Sequence, residues 1–192
     1  MNYRKQLEVL RGLFQTPFSI WSSLEKENIP SAVYILRHHY LIFIILIPVL
    51  VTIRQMFSFK SFTILFYQGI LLPVIAILTY LLVLYILSIL MEEAADFMGG
   101  RAESNGGIKL AFYSGLPFLS MVVFSVLPFG FILVFTGFIY QITLIYAGCV
   151  PVLKVPSSRK WFWMLTIVIS FILLLFLFFL VAFLGSFLMN FL

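Results

Sequence analysis

Two adjacent histidines and a tight group of acids are the residues whose types and spacing are best suited to chemistry. Glu92, Glu93 and Asp96 fall where a long apolar stretch ends. On a continuing helix residues 92 and 96 share a face, and 93 lies three residues from 96. Carboxylates at a helix C-terminus oppose the macrodipole, which favours cations there. Compensation is therefore expected from Arg101, Lys109, Arg37, the histidines or a bound cation. His38 and His39 diverge by about 100° on a helix and do not readily chelate one ion together. With Glu92, Glu93 or Asp96 they make a metal set of imidazole and carboxylate, but the spacing carries no metal signature. An acid–base network fixing the helix end against the N-terminal segment ranks first. A cation or proton site and a partner-docking surface follow.

A second group of polar residues lies inside apolar stretches: Tyr113, Ser114, Tyr140, Gln141 and Tyr146, with Gln68, Tyr80, Tyr85 and Thr143. The first five are the candidates for lining a cavity. Interhelical hydrogen bonds account for them more simply, at about 1 kcal/mol each or less. No Asp, Glu, Lys or Arg falls at mid-depth of any stretch, where ion-coupled carriers place one. The chain has no Ser/His/Asp spacing, HExxH, paired intramembrane aspartates, P-loop or CxxC. The expectation is no enzyme and no cofactor.

What must position these residues is a membrane bundle. The 192 residues are 63% hydrophobic and only 10% charged, against about 25% charged in soluble domains. That excludes a soluble domain, a disordered tail, a collagen-like chain and a disulfide scaffold. The lone Cys149 has no internal partner, and its bland reading is a small packed residue. Five apolar stretches at 39–58, 62–91, 108–127, 129–150 and 161–190 predict an all-α, polytopic five-transmembrane-helix bundle. The first is short, with a re-entrant segment as its alternative. The run from 110 to 153 has no charge and is broken by Pro128 and Gly130 into a hairpin. Pro48, Pro73 and Pro117 should kink their spans.

Ten of the twelve Lys and Arg residues fall at one end of the spans, leaving Arg54 and Lys60 at the other. The positive-inside rule then puts the N-terminus in the cytoplasm and the C-terminus outside. The basic residues form no tract, so nucleic acid is not an expected partner. Residues 1–38 lack a cleavable leader's apolar core. They carry Thr16-Pro17 as a helix start, then Phe18, Ile20, Trp21 and Leu24. A short cytoplasmic interfacial helix is expected, or a strap packed on the 39–192 membrane domain. Leu7, Leu10, Leu13 and Phe14 supply a second apolar patch.

One arrangement of residues resembles a known family. Ala95-Asp96-Phe97-Met98-Gly99-Gly100, then Lys109, Tyr113-Ser114 and Pro117, is similar to the core of the Yip family (Ypt/Rab-interacting-protein domain). Tyr146-Ala147-Gly148, Pro151 and the basic 154–160 loop fit it, as do Pro17, Trp21, His38-His39 and Pro48. The chain lacks the long N-terminal domain and the Leu-Tyr-Gly-Pro segment of the Rab-binding branch, so it looks like the compact prokaryotic type. The resemblance implies a non-enzymatic accessory or scaffold subunit, or a membrane organiser, in the inner (plasma) membrane. Expected partners are lipids and other membrane subunits or further copies of itself. Trp21, Glu92, Glu93, Asp96 and Arg101 are the expected cytoplasmic docking face. The alternative is a small-solute or lipid permeation pathway.

Overall fold

Proline, glycine and charge set where the helices break. The computed structural model describes residues 3–25, 32–57, 65–101, 105–172 and 176, and no strand occurs among them. Helices α1 (Tyr3–Gln15) and α2 (Ile20–Glu25) precede four longer ones. These are α3 (Ala32–Met56), α4 (Phe66–Phe97), α5 (Gly106–Val126) and α6 (Gly130–Leu153). Each is long and apolar enough to cross a bilayer, with mean hydropathy between 1.5 and 2.8. Helix α7 follows over residues 160–172. Apart from 176, the rest of the expected fifth span, 161–190, lies outside the described residues. The described helices long enough to cross therefore number four, not five.

Helix α5 is the centre of the bundle: 61% of its apolar window is buried, against 28–33% in the other three. It contacts α1, α3, α4 and α6. Its sequence makes this possible, because Gly106, Gly107, Ala111, Ser114 and Gly115 let neighbouring backbones approach closely. Apolar faces of α4 and α6 point outward, including Ile75, Leu78, Leu82, Phe131 and Phe135, as lipid-facing surfaces do.

Several boundaries differ from the sequence expectation for physical reasons. Helix α3 begins at Ala32 and carries His38 and His39 through a widened turn over Leu36–Tyr40, where polar residues hide the helix from a hydropathy reading. Helix α4 continues six residues past 91, through all three acids, to Phe97. There Gly100 N–H donates to the Ala95 carbonyl (2.8 Å) and Gly99 N–H to that of Asp96 (3.0 Å), with Gly99 at φ 81°. That is the expected left-handed glycine cap. Pro73 has no N–H for the carbonyl four residues earlier, and the turn before it widens over Phe66–Leu71. The α5–α6 hairpin breaks at Val123–Val126 and restarts at Gly130, beside Pro128 as expected.

The N-terminal segment departs most. Thr16 does not cap a helix; its hydroxyl donates back to the Gly12 carbonyl (3.1 Å), and residues 16–19 form a turn between α1 and α2. Nor does α2 offer Trp21 on an exposed face, since Trp21 and Leu24 are buried against the bundle. The ring of Trp21 packs on Gly148 of α6, where a side chain would block it. Of the two N-terminal alternatives, the packed strap describes this segment.

Candidate functional site

At the end of the bundle that carries Lys109, Lys154 and Arg159, the acids of α4 take separate roles. Glu92 Oε1 accepts the N–H of Gly107 at 2.7 Å, capping the start of α5. A carboxylate suits that position, where the free N–H groups of a helix start converge. Glu93, Asp96 and Arg101 are exposed and stand outside that contact. The C-terminal carbonyls of α4 are met by other donors, Trp163 Nε1 to Met91 O (3.3 Å) and Arg159 Nη1 to Met98 O (3.2 Å). Lys109 is buried and donates from Nζ to the backbone carbonyl of Glu25 (3.0 Å). Lys154 Nζ lies 3.7 Å from the same residue's carboxylate. This end is thus a network joining α2, α4, α5 and α7.

The histidines are not brought onto the acids. His38 Nδ1 lies 2.8 Å from the carbonyl of Tyr34, and the two rings stack at 4.1 Å. His39 meets the ring of Tyr113 edge-on at 5.4 Å. Among the described residues no three His, Cys, Asp or Glu side chains converge as metal ligands.

The polar residues of the interior gather around Gly115 and Pro117. Pro117 cannot donate to the carbonyl of residue 113, although the helix runs on unbroken through it. The Tyr40 hydroxyl donates to the neighbouring Phe112 carbonyl, linking α3 to α5. From α4, the Tyr80 hydroxyl donates to Gln141 Oε1 of α6 at 3.0 Å. Both hydroxyls lie over Gly115, where a Cβ would stand 2.7 Å and 2.8 Å from them. Ser114 is buried and donates to the Ala111 carbonyl (2.9 Å). Gln141 is fully buried, with Nε2 unpartnered among the described residues. Tyr140 points elsewhere: its hydroxyl donates to the Leu13 carbonyl (2.6 Å), and its ring stacks on Phe14. Tyr146 lies beneath Lys160 Nζ (3.6 Å to the ring centre) and beside Trp161. The five cavity candidates therefore occupy three separate places. Tyr40 and Tyr80, which join Gln141 and Ser114, were not among them. The signal for both was the small-residue step at Gly115 beside Pro117.

Two apolar grooves flank this layer. One, of about 360 Å³, opens between α3, α4 and α5, with Tyr80 in its wall. The other, of about 440 Å³, lies between α1, α3 and α5, with His39 and Ser120 among apolar neighbours. None of the five cavity candidates lines either groove.

The Tyr80–Gln141 pair yields a direct prediction. Tyr80→Phe leaves both ends of a buried amide unpartnered, so bundle stability in mixed micelles should fall by about 1–2 kcal/mol. Adding Gln141→Leu should recover most of the loss, because removing both partners leaves nothing unsatisfied. A double variant no more stable than the single one would show that the pair is not a pin.

No protein-family model, curated protein or solved structure matches this chain.

Proposed function

We propose that this chain is a non-enzymatic integral membrane protein of the Yip type that acts by association, as an accessory or scaffold subunit. On the basic-residue asymmetry, the end that carries Lys109, Lys154 and Arg159 faces the cytoplasm of the cell's inner membrane and the C-terminus lies outside. The observation that carries the reading is the position of α1. Its end is tied to Tyr140, ten residues along α6 from Gly130 and thirteen short of Leu153. At 1.5 Å per residue these are about 15 Å and about 20 Å, close to mid-depth. Yet α1 carries Glu8 and Arg11 on its exposed face. Arg11 Nε donates to Gln15 Oε1 (2.8 Å), but polar and charged groups that face lipid within the bilayer remain costly. A neighbouring polypeptide that offers polar or charged partners to this face lowers the cost.

Conduction of a polar solute is less well supported. The interior hydroxyls of Tyr40, Tyr80 and Ser114 are spent on carbonyls and an amide, and the grooves are walled by apolar side chains.

Native mass spectrometry on protein extracted mildly from its own membrane tests the reading. A stoichiometric second polypeptide, or a homo-oligomer, is expected; a bare monomer with retained lipid only would count against association and make vesicle flux the next assay. Glu93→Lys with Asp96→Lys tests the exposed acids of α4 as the docking face. Recovery of the partner should drop at least tenfold; unchanged complexes would remove those acids from the interface.

A further inference from the structure

We infer that the groove between α3, α4 and α5 is a binding site for an anionic glycerophospholipid of the leaflet opposite the basic end. One acyl chain fills the groove and the phosphate sits on Arg54. This goes beyond the association reading and requires only that the bundle spans a bilayer.

The groove has the shape and chemistry of a chain site. Along α4 it runs from Pro73 to Val83, ten residues or about 15 Å of helix. Its walls are apolar, with Ile47 and Val51 from α3, Ala76 from α4, and Phe118 and Val122 from α5. The hydroxyl of Tyr80, the most polar group in the wall besides Ser125 and Thr79, is already given to Gln141. Thr79 likewise donates to the Ile75 carbonyl. A hydrocarbon chain therefore strands neither of these two hydroxyls.

The headgroup preference comes from the mouth. Ile47, Val51 and Arg54 follow one another at helical spacing on one face of α3. Arg54 is exposed, and its Nη1 donates to the carbonyl of Ser125 (3.1 Å), a residue of the groove's rim. A guanidinium has five N–H donors in a fixed fork, so most remain for a phosphate, which it grips bidentately. No acidic residue of α3, of α4 before Glu92 or of the α5–α6 hairpin competes for it. Arg54 and Lys60 are the only charged residues between 38 and 91, and none lies between 110 and 153.

The test uses the full chain reconstituted in vesicles of equal dioleoyl-phosphatidylglycerol and dioleoyl-phosphatidylcholine, then extracted and weighed intact by native mass spectrometry. Phosphatidylglycerol should be retained preferentially. Arg54→Gln should lower that preference roughly tenfold, the size of one charge-assisted contact. Ala76→Phe, which fills the groove, should lower retention of both lipids, whereas Ile75→Phe, one residue away and outside the groove, should not. Equal retention of the two lipids by the unaltered chain overturns the proposal. So does a preference that survives Arg54→Gln but disappears in Lys154→Gln with Arg159→Gln, which would put the lipid at the other end. Loss of a partner polypeptide is read from the same spectra and bears on the association reading alone.

Discussion

Replacing Gly107 by alanine should lower the stability of the bundle by about 2 kcal/mol or more, although only one methyl is added. A Cβ at this position would overlap the carbonyl oxygen of Ser88 and stand 2.7 Å from Glu92 Cγ. The first obstacle is backbone, which has no rotamer to change, so α4 and α5 must move apart. Overpacking of this kind costs about 1–3 kcal/mol. Separation also stretches the 2.7 Å bond from Gly107 N–H to Glu92, and a lost helix cap is worth about 1 kcal/mol. Alanine's better helix propensity returns at most about 1 kcal/mol. The clash therefore wins. Unfolding by sodium dodecyl sulfate in mixed micelles measures the difference, and an unchanged midpoint would mean that α4 and α5 do not cross at this point. Glu92→Ala separates the two contributions: it should lose only the cap.

The same crossing shows what the sequence could carry. Hydropathy alone locates α4, α5 and α6, because each holds some twenty apolar residues, and Pro128 with Gly130 marks the hairpin. Gly99-Gly100 marks the end of α4 equally well, since a left-handed residue there favours glycine. The acids looked anomalous as a group on one helix end. The explanation for Glu92 is tertiary: the start of α5 is brought against it, and no pattern within α4 could announce that. Glu93 and Asp96 remain exposed, so the shared helical face of 92 and 96 did not make a shared site.

The interior polar groups were legible as types but not as partners. Gln141 and Ser114 could be picked out, yet pairing Gln141 with Tyr80 depends on a sequence separation of 61 residues. Tyr40 falls at the edge of the first apolar stretch, 39–58. It is instead buried well inside α3, because that helix begins eight residues earlier at Ala32. The polar run Arg37-His38-His39 lowers the local hydropathy while the backbone stays helical. A single periodic signal cannot distinguish such a turn from a loop.

The strap was the least legible element, and Trp21→Ala should expose how it is held. Trp21 is completely buried, and its ring fits against Gly148, where a Cβ would stand 2.9 Å from Cδ2 and Cε2. Removing a buried Trp side chain costs about 3–5 kcal/mol. What remains to hold α2 is Leu24 with the polar contacts of Lys109 and Lys154 to Glu25, and a half-exposed ion pair contributes about 1 kcal/mol at most. The loss should therefore appear as local release of α1 and α2. Limited proteolysis should cut within residues 3–25 at least tenfold faster while the four long helices stay folded. Trp21→Phe should behave nearly as the unaltered chain, because the ring is largely kept and an indole N–H without a partner is removed. Gly148→Leu should reproduce the release from the other side of the contact. If α1 presents the partner-binding face, Trp21→Ala must also lower recovery of that partner in parallel with the cleavage. Faster cleavage with full partner recovery would place the interface elsewhere on the bundle, and unchanged cleavage would show that Trp21 does not anchor the strap.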